Sequence, residues 1–179
     1  MRSVSDPYAS SQDPVAVLRY LERGPDVRAV VVGNPTPAPD ATFVDAVTTA
    51  MNDRPWGPRV NFTATPQHEA SPGYHVVAVF GVADPIGGYA LCSASPEALS
   101  AAPSSGELQA AFCWRDRPIS RTRVSVGAIT AADDPRLHLA VRTAMRQLFP
   151  LRRQQELDRD PCFPFRSCAG IGFGLPFSG

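Results

Sequence analysis

The sequence predicts an α+β fold, a two-layer domain in which a mainly antiparallel five- to six-stranded sheet is packed by two or three helices. Residues 27–33 and 74–83 are apolar on both faces, as expected of strands that are covered on both sides. Only the strand over residues 27–33 is connected to the following strand through a helical pattern. The later strands follow one another through short turns, and such connections favour antiparallel pairing.

Three helices are predicted from capping signals and apolar spacing. Asp13 precedes Pro14, a pairing typical of an N-cap and the first helical position, and Asp133 or Asp134 is expected to cap the last helix with Pro135 just inside it. Asp40 is expected to cap the second helix. Apolar residues then recur at three- and four-residue spacing, which gives each helix one buried stripe. The helices are predicted over residues 14–22, 40–52 and 135–149.

The remaining strands are shorter and are bounded by turn residues. A proline-rich turn follows the first strand, and a loop rich in Ser, Ala, Pro and Gly covers residues 94–106. Arg115 to Pro118 connects the last two strands as a hairpin. Besides the two strong strands, strands are predicted over residues 59–65, 89–93, 107–114 and 119–126.

The chain divides into three parts by composition. Residues 1–12 are predicted to be a loose N-terminal arm, residues 13–150 a single domain, and residues 151–179 a tail rich in Pro, Gly and Phe. Apolar residues make up 44% of the chain and the formal net charge is zero. This balance disfavours intrinsic disorder and bulk attraction to nucleic acid. No apolar run approaches the ~20 residues of a transmembrane helix.

The four cysteines are candidates for disulfide bonds. Cys92 and Cys113 fall on predicted neighbouring strands, so their sulfurs could face each other. Cys162 and Cys168 are too far apart in sequence for a typical zinc pair and have no nearby third ligand, so a small disulfide loop or two thiols is favoured over metal. In a reducing compartment all four would be free, and in an oxidising one three pairings are conceivable.

The tail has the composition of a docking segment. Aromatic residues and arginine are enriched at the centres of protein interfaces. A tail so rich in Pro and Gly cannot build a core of its own, so it packs on its own domain, docks on a partner or stays disordered. The candidate partner-docking residues are Phe163, Phe165, Arg166, Phe173 and Phe177.

A small-ligand-binding protein or a hydrolase is the alternative. It requires a pocket near the Asn34 turn and the His68 loop that brings His68 or His75 together with a carboxylate. The turn at Asn34 follows a strand and precedes a helix, but its three prolines lack the N–H groups that bind phosphate. No nucleophile or metalloprotease motif is present, so we assign no catalytic residue, no metal ligand and no cofactor.

Short stretches at residues 30–35, 51–52, 56–58, 61–63 and 74–80 also carry a resemblance. Over about residues 27–150 the chain resembles small bacterial lipoprotein-like domains, a group with no known activity. The resemblance implies a place in the cell envelope and transfers no catalytic residue. The chain departs from the group in its long tail and in the absence of an apolar signal segment or lipid-attachment cysteine near Met1, so the sequence as written starts in the cytosol.

These observations predict a non-enzymatic accessory protein. Its expected role is that of a subunit that docks through its terminal segments on a larger assembly of the envelope or membrane. The expected partner is a protein, with peripheral association at most and no nucleic acid. The sequence leaves the oligomeric state, the partner and the oxidation state of the cysteines open.

Overall fold

The computed structural model describes residues 3–6, 13–82, 84–99 and 106–150. Within these ranges the chain forms six strands and five helices. In chain order they are β1 Ser3–Asp6, α1 Pro14–Leu21, β2 Asp26–Val32, α2 Asp40–Asn52, β3 Asn61–Thr63, β4 Tyr74–Phe80, α3 Gly88–Ser93, α4 Pro96–Leu99, β5 Glu107–Trp114, β6 Arg117–Ser125 and α5 Pro135–Leu148.

The strands form one mixed sheet in the order β1-β6-β5-β4-β2-β3. β2 runs parallel to both of its neighbours, whereas β4, β5, β6 and β1 pair antiparallel in succession. The predicted α+β class and sheet are therefore confirmed. The sequence analysis places Ser3–Asp6 in a loose arm, but these residues pair with β6 as an edge strand. Their short polar sequence has no apolar pattern from which a strand could be predicted.

The main core lies between one face of the sheet and three helices. Leu18 of α1, Phe43 of α2 and Met145 of α5 are buried there against strand residues such as Phe112. The two predicted Asp-Pro helix starts are confirmed, because the carboxylates of Asp13 and Asp134 each accept a backbone N–H of the first turn. The helices thus cover the sheet as the second layer.

The opposite face of the sheet is covered by the short helices α3 and α4. Leu91 and Cys92 of α3 and Leu99 of α4 pack against Val77 and Val79. The predicted strand over residues 89–93 is wrong, because Gly88–Ser93 is helical. The residues that α3 buries, Gly88, Leu91 and Cys92, are spaced as on one face of a helix, but the segment is too short for that spacing to distinguish a helix from a strand.

β3 and β4 flank β2 and both run parallel to it, although no helix connects them. Residues 64–73 therefore cross the N-terminal end of β2. The backbone N–H of Asp26 donates to the carbonyl of His68 at 3.1 Å, which fixes this crossing to the start of β2. The expectation that a short connection implies antiparallel neighbours fails here because β2 lies between the two strands.

α2 begins one residue earlier than its predicted cap, Asp40, implies. Pro39 occupies the N-cap position and makes no side-chain capping bond, and Asp40 is the first helical residue. The Asp40 carboxylate instead accepts a hydrogen bond from the side-chain amide of Asn34 at 3.0 Å. The start of α2 is therefore tied to the turn that precedes it.

Candidate functional site

Cys92 and Cys113 form a disulfide bond that joins α3 to β5. Their Cα atoms are 5.7 Å apart, within the usual range for a bridge. Both residues are buried in the smaller core, Cys113 completely. The predicted pairing of Cys92 with Cys113 is confirmed, although Cys92 lies in a helix and not in the predicted strand. The bridge fixes a six-residue helix that makes no side-chain capping bond.

The other candidate residues of the tail lie outside the described part of the chain. These are Cys162, Cys168, Phe163, Phe165, Arg166, Phe173 and Phe177. Within the described ranges, no group of three His, Cys, Asp or Glu side chains could hold a metal ion. No helix in those ranges is long and apolar enough to cross a membrane.

The three histidines are spread over the molecule. His68 lies in the crossing near the start of β2, and Nε2 of His138 on α5 lies 3.3 Å from Oδ2 of Asp53. His75 on β4 stands beside Arg28 and Cys113 in the strand register. Burial lowers the pKa of His75, and backbone groups of Gly73 and Cys92 partly offset that effect.

The pocket expected between the Asn34 turn and the His68 loop is not formed as one site. The carbonyl of His68 accepts a hydrogen bond from the first residue of β2, whereas Asn34 lies just beyond the other end of that strand. Seven residues of extended strand span roughly 20 Å, so the two loops lie at opposite ends of β2. The Asn34 side chain is also engaged within its own turn, with Thr36, Ala38 and Asp40. Its polar atoms thus stabilise the turn.

The Asp26 carboxylate accepts three hydrogen bonds from residues distant in sequence. It accepts hydrogen bonds from the Asn61 side chain at 2.9 Å and from the backbone N–H groups of Gln67 at 2.7 Å and His68 at 2.9 Å. The Asn61 side chain, followed by these two N–H groups, lowers the pKa of Asp26 below its usual range. Since all of its partners are in β3 and the crossing, Asp26 holds the edge of the sheet together.

A cleft of about 330 Å³ lies at the same edge, in the loop between α2 and β3. Its size is near the lower end of the range for small-molecule sites. Its residues follow the predicted end of the second helix, and no site is predicted there from the sequence. The lining residues are Asn52, Arg54, Pro55, Gly57, Pro58, Arg59 and Val60.

Arg54 organises this loop. Its Nη2 donates to the carbonyls of Pro58 at 2.9 Å and Val60 at 3.3 Å. The guanidinium carbon lies 4.9 Å from the ring centroid of Phe62 and 5.9 Å from that of Trp56, so two aromatic faces flank the charge. Burial lowers the pKa of Arg54 to about 10, and the group stays charged at neutral pH.

Three buried nitrogens of this loop have no hydrogen-bond partner: Nε and Nη1 of Arg54 and Nε1 of Trp56. A motif search does not find such a site, because a single Arg followed by prolines has no fixed spacing signature. The available sequence signal was an arginine and a tryptophan within a proline-rich turn. Comparison of the chain with protein-family models, curated proteins and solved structures finds no match.

Proposed function

We propose that this chain is a non-enzymatic accessory protein of the cell envelope that docks on a larger assembly through its terminal segments. The disulfide between Cys92 and Cys113 carries the proposal, because such bonds persist mainly in oxidising compartments. A bridged domain is a stable scaffold from which a docking segment can extend. The resemblance to lipoprotein-like domains points to the same compartment.

The use of the described polar residues supports a scaffold role. Asp26 bonds to β3 and the crossing, and Asn34 bonds within its own turn. His138 joins α5 to the end of α2 through Asp53. None of the three histidines is paired with a nucleophile in the described hydrogen bonds. The Phe-rich tail then follows α5, whose last turn is anchored by the buried Phe149.

The test is co-purification of the full-length protein from envelope fractions of its native source after brief cross-linking. The variant replaces Phe163, Phe165, Phe173 and Phe177 with Ser. We expect one or more stoichiometric partners with the wild type and their loss with the variant, while circular dichroism and urea unfolding of the domain stay unchanged. Removal of residues 151–179 should give the same result.

Tyr20→Ala and Tyr89→Ala serve as matched controls. Both tyrosines are about half exposed on the described domain, at 48% and 53%, so their replacement also removes an accessible aromatic ring. These variants should retain the partners. Full retention of the partners by the tail variant would refute docking through the tail, and a fully reduced Cys92–Cys113 pair in the native source would refute the envelope location.

A further inference from the structure

We propose that the loop between α2 and β3 binds a small oxyanion, a carboxylate or phosphate group, through Arg54. This site goes beyond the proposed docking role, because it concerns a small ligand and none of the tail residues. The cleft at this loop has a volume of about 330 Å³, which is sufficient for a compact metabolite-sized anion.

Unsatisfied donors in this loop carry the inference; Arg54 lines the cleft, and Trp56 packs against its guanidinium. Nε and Nη1 of Arg54 and Nε1 of Trp56 are buried without an acceptor. A buried donor that makes no hydrogen bond destabilises a fold, and a charged donor does so more. The guanidinium carbon of Arg54 lies 5.9 Å from the centroid of the Trp56 ring, so an anion bound to Arg54 would lie close to the indole.

No carboxylate of the described chain neutralises Arg54. Glu22 is the acidic group close enough to raise the pKa of Arg54, but its Oε1 accepts the backbone N–H of Arg59 at 2.6 Å. The described ion pairs do not include Arg54. A charge that is partly removed from water without an ion-pair partner favours an anionic ligand.

The geometry of the loop favours an oxyanion over other ligands. The bonds from Nη2 to Pro58 and Val60 and the rings of Trp56 and Phe62 hold the guanidinium in place, so little flexibility is lost when an anion binds. Gly57 adopts a positive φ of 81°, and a Cβ at this position would stand 3.6 Å from Nη1. The glycine therefore places no side chain beside this donor.

The experiment uses the ¹⁵N-labelled full-length protein. Sodium phosphate and, separately, sodium acetate are titrated at constant ionic strength, and the indole N–H signals of Trp56 and Trp114 are followed with the Nε–H signal of Arg54. We expect saturable shifts of the Trp56 and Arg54 signals and none for Trp114, which lies on β5, three strands away from β3. Comparison of the two salts identifies the preferred anion.

Two variants test the role of the guanidinium. Arg54→Lys keeps the charge but loses the fork of donors, and binding should weaken about tenfold, as expected for the loss of one charge-assisted hydrogen bond. Arg59→Gln removes an exposed charge from the rim but keeps the backbone bond to Glu22, so binding should weaken less. Arg117→Gln removes the same charge on β6, at the far side of the sheet from β3, and is the control.

The proposal fails if neither salt gives saturable shifts in the wild type, or if Trp114 responds as strongly as Trp56. It also fails if Arg54→Lys binds as the wild type does. If Arg54→Lys does not fold, the wild-type titration and the comparison of Arg59→Gln with Arg117→Gln decide the question. Equal binding by these two variants, together with no shift of the Arg54 Nε–H signal, overturns the site.

Discussion

The side-chain amide of Asn52 bonds both backbone polar groups of Phe62. Asn52 Oδ1 accepts the Phe62 N–H at 2.8 Å, and Asn52 Nδ2 donates to the Phe62 carbonyl at 2.9 Å. The last residue of α2 thus completes the free edge of β3, as a further strand would do. This arrangement explains how a three-residue edge strand is held in a mixed sheet.

Replacement of Asn52 by Ala should destabilise the domain. The change removes both hydrogen bonds to the buried Phe62, and the expected loss in free energy of unfolding is about 2 kcal/mol. Urea unfolding measures it. Thr49→Ala is the matched control, since Thr49 is exposed on the same helix. A loss for Asn52→Ala no larger than the control value would mean that water replaces the amide at this edge.

The bonds to Asp26 should make the domain sensitive to acid. The pKa of Asp26 in the folded state lies below its ordinary value of 3.8. In the unfolded chain the carboxylate therefore takes up a proton at higher pH than in the folded protein. The contribution of Asp26 to stability is complete above about pH 5 and is lost as the pH falls through 3.8 and then through the lower folded value.

Asp26→Asn should therefore flatten the decrease in stability between about pH 5 and pH 2. It should also lower the free energy of unfolding at pH 7 by roughly 2–3 kcal/mol, because hydrogen bonds to a charged acceptor are lost. Thermal unfolding across this pH range measures both effects, with Asp45→Asn on the exposed face of α2 as control. Parallel pH profiles for the wild type and Asp26→Asn would contradict the assigned role.

Much of the fold could be predicted from local patterns in the sequence. Asp13 and Asp134 marked two helix starts correctly, because a capping carboxylate and a following proline act within one turn. The strands β2 and β4 could be predicted because each is a short run of apolar residues, which is also a local signal. In contrast, Ser3–Asp6 forms a strand only because β6 offers a free edge, and α3 is a helix in the context of the sheet below it.

The candidate site was less predictable, since it depends on contacts between distant residues. The Cys92–Cys113 pair could be predicted although Cys92 lies in a helix and not in the expected strand, because a helix packed on β5 also brings the Cα atoms to bridging distance. The cleft at Arg54 was missed. The ability of this cleft to bind an anion depends on which hydrogen-bond donors have no partner in the folded chain, and this cannot be read from the sequence.

The disulfide should contribute strongly to stability. It joins residues separated by 21 positions. A cross-link that closes a loop of this length lowers the conformational entropy of the unfolded chain and so raises the free energy of unfolding by about 3 kcal/mol. The double variant Cys92→Ala, Cys113→Ala should therefore unfold at clearly lower urea concentration than the oxidised wild type. Alanine is the appropriate replacement because Cys113 is completely buried, so a serine hydroxyl there would add a desolvation penalty of its own.

Reduced wild type separates the effect of the bond from that of packing, because it keeps both sulfur atoms. With a dithiol reductant present it should lose most of the stability that the double variant loses, and the double variant itself should not respond to reductant. Alkylation without reductant, followed by peptide mapping, should leave Cys92 and Cys113 unmodified. Equal unfolding midpoints for oxidised and reduced wild type would show that α3 stays on the sheet through the packing of Leu91 and its neighbours alone.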